Sequence, residues 1–254
     1  MPLITFTMTL EWIETIAPQI RHFAFRLNDD QTFTWIPGQF VNIHFESGDR
    51  TLRRSYSIAS IPGQNKLVEF AASYIENGPA SQYLWALQPG DEVTTSGPFG
   101  RLILRDESPQ RYILAATSTG VTPYHSMLNQ LAQRLEQTDL SVTLLFGVRR
   151  REDLLYEEDF VEFAKQHSNF SFCAHYSQEK LTELSDVKDY EYSGHVQTGL
   201  QHLKPDPQTD IIYLCGNPKM IDDSFEQLKS LGFDVKNVRR EKYVSTNAIV
   251  KSKS

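Results

Sequence analysis

The stretch "LAATSTGVTP", residues 114–123, reads as three things in quick succession. An apolar run that starts at Tyr112 ends at Ala116, a short polar turn holds Gly120, and Thr122 and Pro123 open a new pattern. Proline suits the first turn of a helix, where its missing N–H has no intrahelical partner to lose. Beyond it Tyr124, Met127, Leu128, Leu131 and Leu135 recur at spacings of three and four, so they share one stripe of a helix. A strand that runs at once into a helix is the first half of a parallel crossover unit.

The rhythm repeats downstream. "SVTLLFGV", "NFSFCAHY", "DIIYLCG" and "NVRREKYV" read as strands, and "EEDFVEFAKQH" and "PKMIDDSFEQLKSLG" as helices, the second with proline at its start and glycine at its end. Together with "RYILAAT" this predicts a five-stranded parallel sheet with helices on both faces over residues 107–254. Upstream the period changes. "FVNIHF" puts Val41, Ile43 and Phe45 on one face, and "HFAFRL" does the same with Phe23, Phe25 and Leu27. Turn signals at Pro37–Gly38, Ser47–Asp49, Pro62–Gly63 and Pro89–Gly90 separate such runs. Residues 1–106 therefore read as an antiparallel barrel or sandwich, interrupted by one short helix in "GPASQYLWAL" with Ser81 as its N-cap. The polar "DESPQ" marks the boundary, so the fold class is β + α/β.

With 254 residues, 40% of them hydrophobic, the chain can bury a sizeable core. A net charge of -7 and no long basic run give no support for nucleic-acid binding. The longest apolar runs are far too short to span a bilayer, and "MPLITFTMTL" has no basic start or small-residue cleavage site. The two cysteines, Cys173 and Cys215, make neither a disulfide framework nor the four-thiolate set of an iron–sulfur cluster. A cytoplasmic protein without a metal centre is expected.

Four places carry chemistry. In "RRSYSIAS", residues 53–60, Arg54 and Tyr56 project to one side of a strand, and arginine pairs bidentately with phosphate. Alone, the stretch fits a barrel strand with exterior arginines equally well. Gly78–Pro79–Ala80–Ser81 opens the short helix, whose first amides favour an anion; it also fits a plain capped helix. The turn at Thr119–Gly120, followed by Pro123, places a helix start at the end of a parallel strand, without the three glycines of the common dinucleotide fingerprint. "CGNPKM", from Cys215 and Gly216 onward, occupies a similar strand end, where a free cysteine also serves as a small buried hydrophobe.

The order of these pieces resembles the ferredoxin–NADP(+) reductase family, in its bacterial flavodoxin/ferredoxin reductase form. "GDEVTTSGPFG", "FGVRRREDLLY" and the C-terminal "REKY" extend the resemblance over nearly the whole chain. It implies a Greek-key barrel that binds FAD, followed by an NAD(P)-binding domain. By this resemblance Arg54 contacts the flavin pyrophosphate, and Tyr56 packs on the isoalloxazine. Ser57, with Ser55 beside it, approaches the ring nitrogen that accepts hydride, and Gly78, Ala80 and Ser81 complete the pyrophosphate seat. Thr119, Gly120 and Pro123 match the pyrophosphate turn of the pyridine nucleotide. Cys215, next to Gly216, borders the nicotinamide, and Glu241 and Tyr243 match a Glu-x-Tyr whose ring covers the flavin. The tail from Val244 to Ser254 is implied to lie near the FAD adenine. Two positions depart from the pattern: Ser118 stands where glycine is usual, and Ser177–Gln178 where NADP-using members often carry Ser-Arg. Arg149, Arg150 and Arg151 are candidates to replace that charge, so NADP(H) is expected over NAD(H). The implied activity moves hydride between NADPH and FAD and single electrons to a ferredoxin or flavodoxin, docking through a basic patch for which Arg21, Arg26, Arg101 and Arg105 are candidates. The alternatives are an NAD(P)H-flavin reductase or the reductase component of an oxygenase or other complex. A monomer is expected.

Overall fold

The computed structural model describes residues 5–28, 33–63 and 67–244. They form two compact units: one of residues up to Leu104 with Thr122–Met127, the other of Arg105–Val121 with the residues from Leu128 onward.

The first unit holds strands β1 (Thr5–Ala17), β2 (Ile20–Leu27), β3 (Phe40–Ser47), β4 (Arg50–Ser57), β5 (Leu67–Ser73) and β6 (Glu92–Phe99), and helix α1 (Pro79–Ala86). The antiparallel order is β4-β3-β6-β1-β2-β5, with β6 inserted between β3 and β1 in Greek-key fashion. Strand alternation decides the interior. Val41, Ile43 and Phe45 of β3 are buried, as are Phe23 and Phe25 of β2 and Val68, Phe70 and Ala72 of β5. Phe70 stacks on both Phe23 and Phe25, with ring centroids 5.6 and 5.4 Å away. The sheet curls until its end strands meet, where Tyr56 of β4 stacks on Phe70 of β5 at 4.7 Å. Closure of this kind buries one face and removes exposed strand edges.

The second unit holds β7 (Arg111–Thr117), α3 (Leu128–Gln137), β8 (Ser141–Val148), α4 (Glu157–Gln166), β9 (Phe170–Tyr176), β10 (Glu191–Ser193), α5 (Val196–His202), β11 (Asp210–Gly216), α6 (Pro218–Ser230) and β12 (Val238–Lys242). The sheet is parallel, in the order β10-β9-β8-β7-β11-β12. Among the described residues it has six strands rather than the five expected from sequence. The extra one, β10, is three residues long, too short to show a period. Central β7 and β11 are apolar along most of their length because helices cover both faces. Phe160 of α4 stacks on Phe172 of β9, whereas Gly199 of α5 lies against His175 on the opposite face of that strand.

The helix predicted from Thr122 onward is broken. α2 (Thr122–Ser126) stops before Met127, and α3 begins at Leu128. α2 serves the first unit: Ser126 Oγ donates to the Ser60 carbonyl at 2.8 Å, and His125 Nδ1 lies 2.9 Å from the Ala59 carbonyl oxygen. α3 covers the parallel sheet, where Arg134 donates to the Tyr112 hydroxyl at 2.7 Å. Both pieces keep buried residues at the predicted spacing, so periodicity alone does not show the break.

His175 is 4% exposed and stacks on Tyr192. Burial, with the His202 charge nearby, pushes its pKa from 6.5 down to about 4. A histidine held neutral in the fold but free to charge when unfolded contributes stability above its unfolded pKa and loses it as pH falls. Urea midpoints are expected to decline between pH 6.5 and about 4, and His175→Gln is expected to flatten that slope.

Candidate functional site

On β4 the side chains alternate. Arg54 and Tyr56 are partly exposed on one side; Ser57 follows, 4% exposed, in register with Phe40. Ser55 faces the other way and donates its hydroxyl to Asn42 Oδ1 at 2.7 Å. Phe70 backs one face of the Tyr56 ring at an interplanar angle of 16°. Burial raises the Tyr56 phenol well above its ordinary value, and the Arg54 charge opposes part of that rise. The strand thus presents a guanidinium beside an immobilised, neutral aromatic ring.

α1 corrects one expectation. Its N-cap is Gly78, not Ser81, because Pro79 occupies the first helical position. Ser81 is buried in the first turn, and its hydroxyl accepts the Ile75 N–H at 2.8 Å, tying the helix to the turn before it. A Cβ on Gly78 would lie 2.9 Å from the Ile75 carbonyl oxygen. The first-turn amides of Ala80 and Ser81 have no intrahelical partner, and the positive helix end lies there. Alongside α1 opens a cleft of about 550 Å³, lined by Gln19, Tyr74, Gln82, Trp85 and Ala86.

In the second unit the ends of β7 and β11 touch backbone to backbone. A Cβ on Gly120 would come within 2.5 Å of the Cys215 carbonyl oxygen, and one on Gly216, at φ +120°, within 2.6 Å of the Thr117 carbonyl oxygen. Thr117 Oγ1 accepts the Asn217 N–H at 2.9 Å, closing the same junction. Thr119 is buried beside it, whereas Pro123 belongs to the α2 segment of the first unit. Ser118 has φ +50° and an exposed side chain, so the residue that replaces glycine points away from the turn. Cys215 is fully buried and pairs in register with Glu241, and the Tyr243 N–H donates to the Gly216 carbonyl at 2.8 Å. Burial and the Glu241 charge push the Cys215 thiol up, and a hydrogen bond with the Tyr243 side chain works against them. The fold thus brings Cys215, Gly216, Glu241 and Tyr243 together. Residues 245–254, most of the tail after Tyr243, lie outside the described residues.

At the carboxyl ends of β8 and β9, the Ser177 N–H donates to the Val148 carbonyl at 3.0 Å and the Gln178 N–H to the Arg149 carbonyl at 2.9 Å. Arg149, Arg150, Ser177 and Gln178 are all exposed on these joined loops. Arg151 is not available as a replacement charge, because its guanidinium is held by Glu191 and Asp186. Of the basic-patch candidates, Arg26 pairs with Glu11 and Arg21 lies over the Trp85 ring, while Arg101 and Arg105 are exposed.

Residues 7–103 match the oxidoreductase FAD-binding domain and residues 114–225 the oxidoreductase NAD-binding domain. A ferredoxin–NADP reductase of Azotobacter vinelandii is 29% identical over 84% of this chain and 85% of its own. The reductase component of a Pseudomonas phenol 2-monooxygenase is 30% identical over 84% of this chain, which spans 58% of that protein. The solved structure of a ferredoxin NADP+ reductase from Neisseria gonorrhoeae, with bound FAD and NADP, superposes with a TM-score of 0.79 at 22% identity, covering 94% of this chain and 98% of the other. An antiparallel barrel and a parallel sheet carrying these two domains define an NAD(P)H-dependent flavoprotein reductase. The chain belongs to the oxidoreductases that join an FAD-binding to an NAD-binding domain, and it is similar to ferredoxin–NADP reductases.

Gly216→Ala combines a forbidden backbone angle with a clash, and is expected to cost about 2–5 kcal/mol in urea unfolding. Cys215 is expected to resist iodoacetamide at pH 8 in the folded protein and to react once urea exposes it, since burial keeps its thiol protonated.

Proposed function

We propose that this chain is an NADPH-dependent ferredoxin or flavodoxin reductase with FAD as its resident cofactor, residues 1–106 forming the FAD-binding domain and 107–254 the pyridine-nucleotide domain with its C-terminal tail. The first unit suits FAD. Arg54 and the α1 amides offer donors for a diphosphate, and Tyr56 offers a backed aromatic face. When bound, FAD accepts hydride and passes on single electrons. The protein supplies binding and alignment: Ser57 holds a hydroxyl at the end of β4, and Gly120, Gly216 and Thr119 offer a close approach to a second diphosphate. Cys215 contributes a small neutral side chain, Glu241 a charge, and Tyr243 a ring.

The observation that carries the NADPH reading is the pair of exposed arginines, Arg149 and Arg150, on a loop joined to Ser177. Two guanidiniums within one loop favour a phosphate more than a ribose hydroxyl. An electron-transfer partner such as ferredoxin agrees with the Azotobacter relative, and no four-cysteine set stands within these 254 residues. Gln178 and the phenol monooxygenase relative favour a second reading, an NADH-dependent reductase component of an oxygenase. No described helix is long and apolar enough to cross a membrane.

The purified protein is expected to be yellow, to bleach with NADPH without oxygen, and to reduce cytochrome c only when ferredoxin or flavodoxin is added. Higher kcat/KM with NADH would turn the assignment to the second reading, and a protein that takes up no FAD would end both. Arg54→Ala is expected to weaken FAD binding about 10- to 100-fold, the loss of one charge-assisted contact.

A further inference from the structure

Three consecutive arginines, Arg149 to Arg151, leave β8, yet only the first two face solvent. Arg151 turns inward and forks onto Glu191: its Nε donates to Oε1 at 2.7 Å and a terminal nitrogen to Oε2 at 2.5 Å. The other terminal nitrogen reaches Asp186 Oδ1 at 2.9 Å. The Arg151 backbone N–H donates to Glu179 at 3.3 Å. Glu191 has a side chain only 2% exposed, and it accepts two more bonds, from the Tyr176 hydroxyl at 2.9 Å and the Lys188 N–H at 2.8 Å. Tyr176 directly precedes Ser177, and Lys188 lies in the segment leading to β10. One carboxylate on a three-residue edge strand therefore ties together the loop after β8, the end of β9 and the segment before β10.

A bidentate ion pair whose carboxylate is buried and has every acceptor position used is rigid, and removing the arginine leaves a stranded charge. Arg149 and Arg150 are long and exposed; the Arg150 backbone N–H donates to Asp153 at 3.0 Å, and its guanidinium lies 4.0 Å from the exposed Glu152 carboxylate. Whatever these side chains gain from a ligand is reduced by the freedom they lose, so the position of the backbone beneath them decides the affinity.

We propose that Arg151 and Glu191 are positioning residues for the phosphate-bearing end of the pyridine nucleotide: the pair fixes the loop that carries Arg149 and Arg150 against Ser177, and Arg151 does not itself touch the nucleotide. This rests on the NADPH reading above. The pair accounts for the inward turn of the third arginine and for a buried glutamate on a strand that otherwise does little for the sheet.

The test measures calorimetric binding of 2′-phospho-AMP and of AMP to the purified wild-type protein and to Arg149→Ala, Arg151→Lys and Glu191→Gln, with thermal midpoints and NADPH and NADH kinetics alongside. Arg151→Lys keeps the charge and loses the fork; Glu191→Gln keeps the shape and loses the charge. Both are expected to weaken 2′-phospho-AMP binding about 3- to 10-fold. AMP binding should be unchanged, KM for NADPH should rise, and kcat with either nucleotide should stay within about twofold. If Arg149→Ala weakens 2′-phospho-AMP and neither Arg151→Lys nor Glu191→Gln does, the positioning role is wrong while the NADPH reading stands. Equal losses for AMP and 2′-phospho-AMP in those two variants would make the pair a general support of the fold and overturn the proposal. A wild-type protein that binds the two nucleotides equally would overturn the NADPH reading and the proposal with it.

Discussion

The nucleotide half of this protein depends on the approach of two peptide backbones. The carboxyl ends of the central strands β7 and β11 meet at Gly120 and Gly216, each of which lacks the Cβ that would strike the other strand within 2.6 Å. That approach brings the turn after β7 and the turn after β11 side by side, and with them Thr119, Cys215 and, through the β12 register, Glu241. Glycine at position 216 also meets a positive φ that a side chain would resist. Without side chains at these two positions the turns can lie side by side.

The barrel reaches its site by the opposite means, through bulk. Phe23, Phe25 and Phe70 fill the interior, and Phe70 carries its stack through to Tyr56 at the seam of the sheet. The Tyr56 ring is therefore an extension of the core, and holding it costs little additional entropy. Ser81 plays the same part for α1: its hydroxyl is used up on the turn before the helix, which leaves the first-turn amides as the groups facing outward.

Much of this was legible in the sequence. Alternation in "FVNIHF" and "HFAFRL" gave the barrel, and "LAATSTGVTP" gave the first crossover, because strand faces and helix stripes are imposed by burial and leave a period behind. The motifs on β4, α1 and the two turns pointed to a family as an ordered set, less so singly, and the family-level reading agrees with the matched FAD-binding and NAD-binding domains. What escaped has physical reasons. β10 is too short for a period, and the break at Met127 keeps the stripe intact on both sides. The Gly78 cap escaped because serine is the stronger capping residue by preference, and preference yielded to Pro79.

The arginines show where residue type stops being informative. Arg111 is held by Asp210, Arg239 by Glu107 and Arg151 by Glu191; each pairs with a carboxylate remote in sequence, and each guanidinium stays largely shielded from solvent. Charges removed from water need such partners, and once paired they have little left for a ligand. Arg149 and Arg150 differ from Arg151 in nothing that composition or local sequence records. They differ because Glu191, forty residues on, can satisfy only one of the three. A candidate anion site is therefore found by assigning every carboxylate its arginine first. Exposed guanidiniums with no more than a loose, solvent-exposed partner at the carboxyl end of a parallel sheet, as Arg150 has in Glu152, are the ones that can turn to a phosphate.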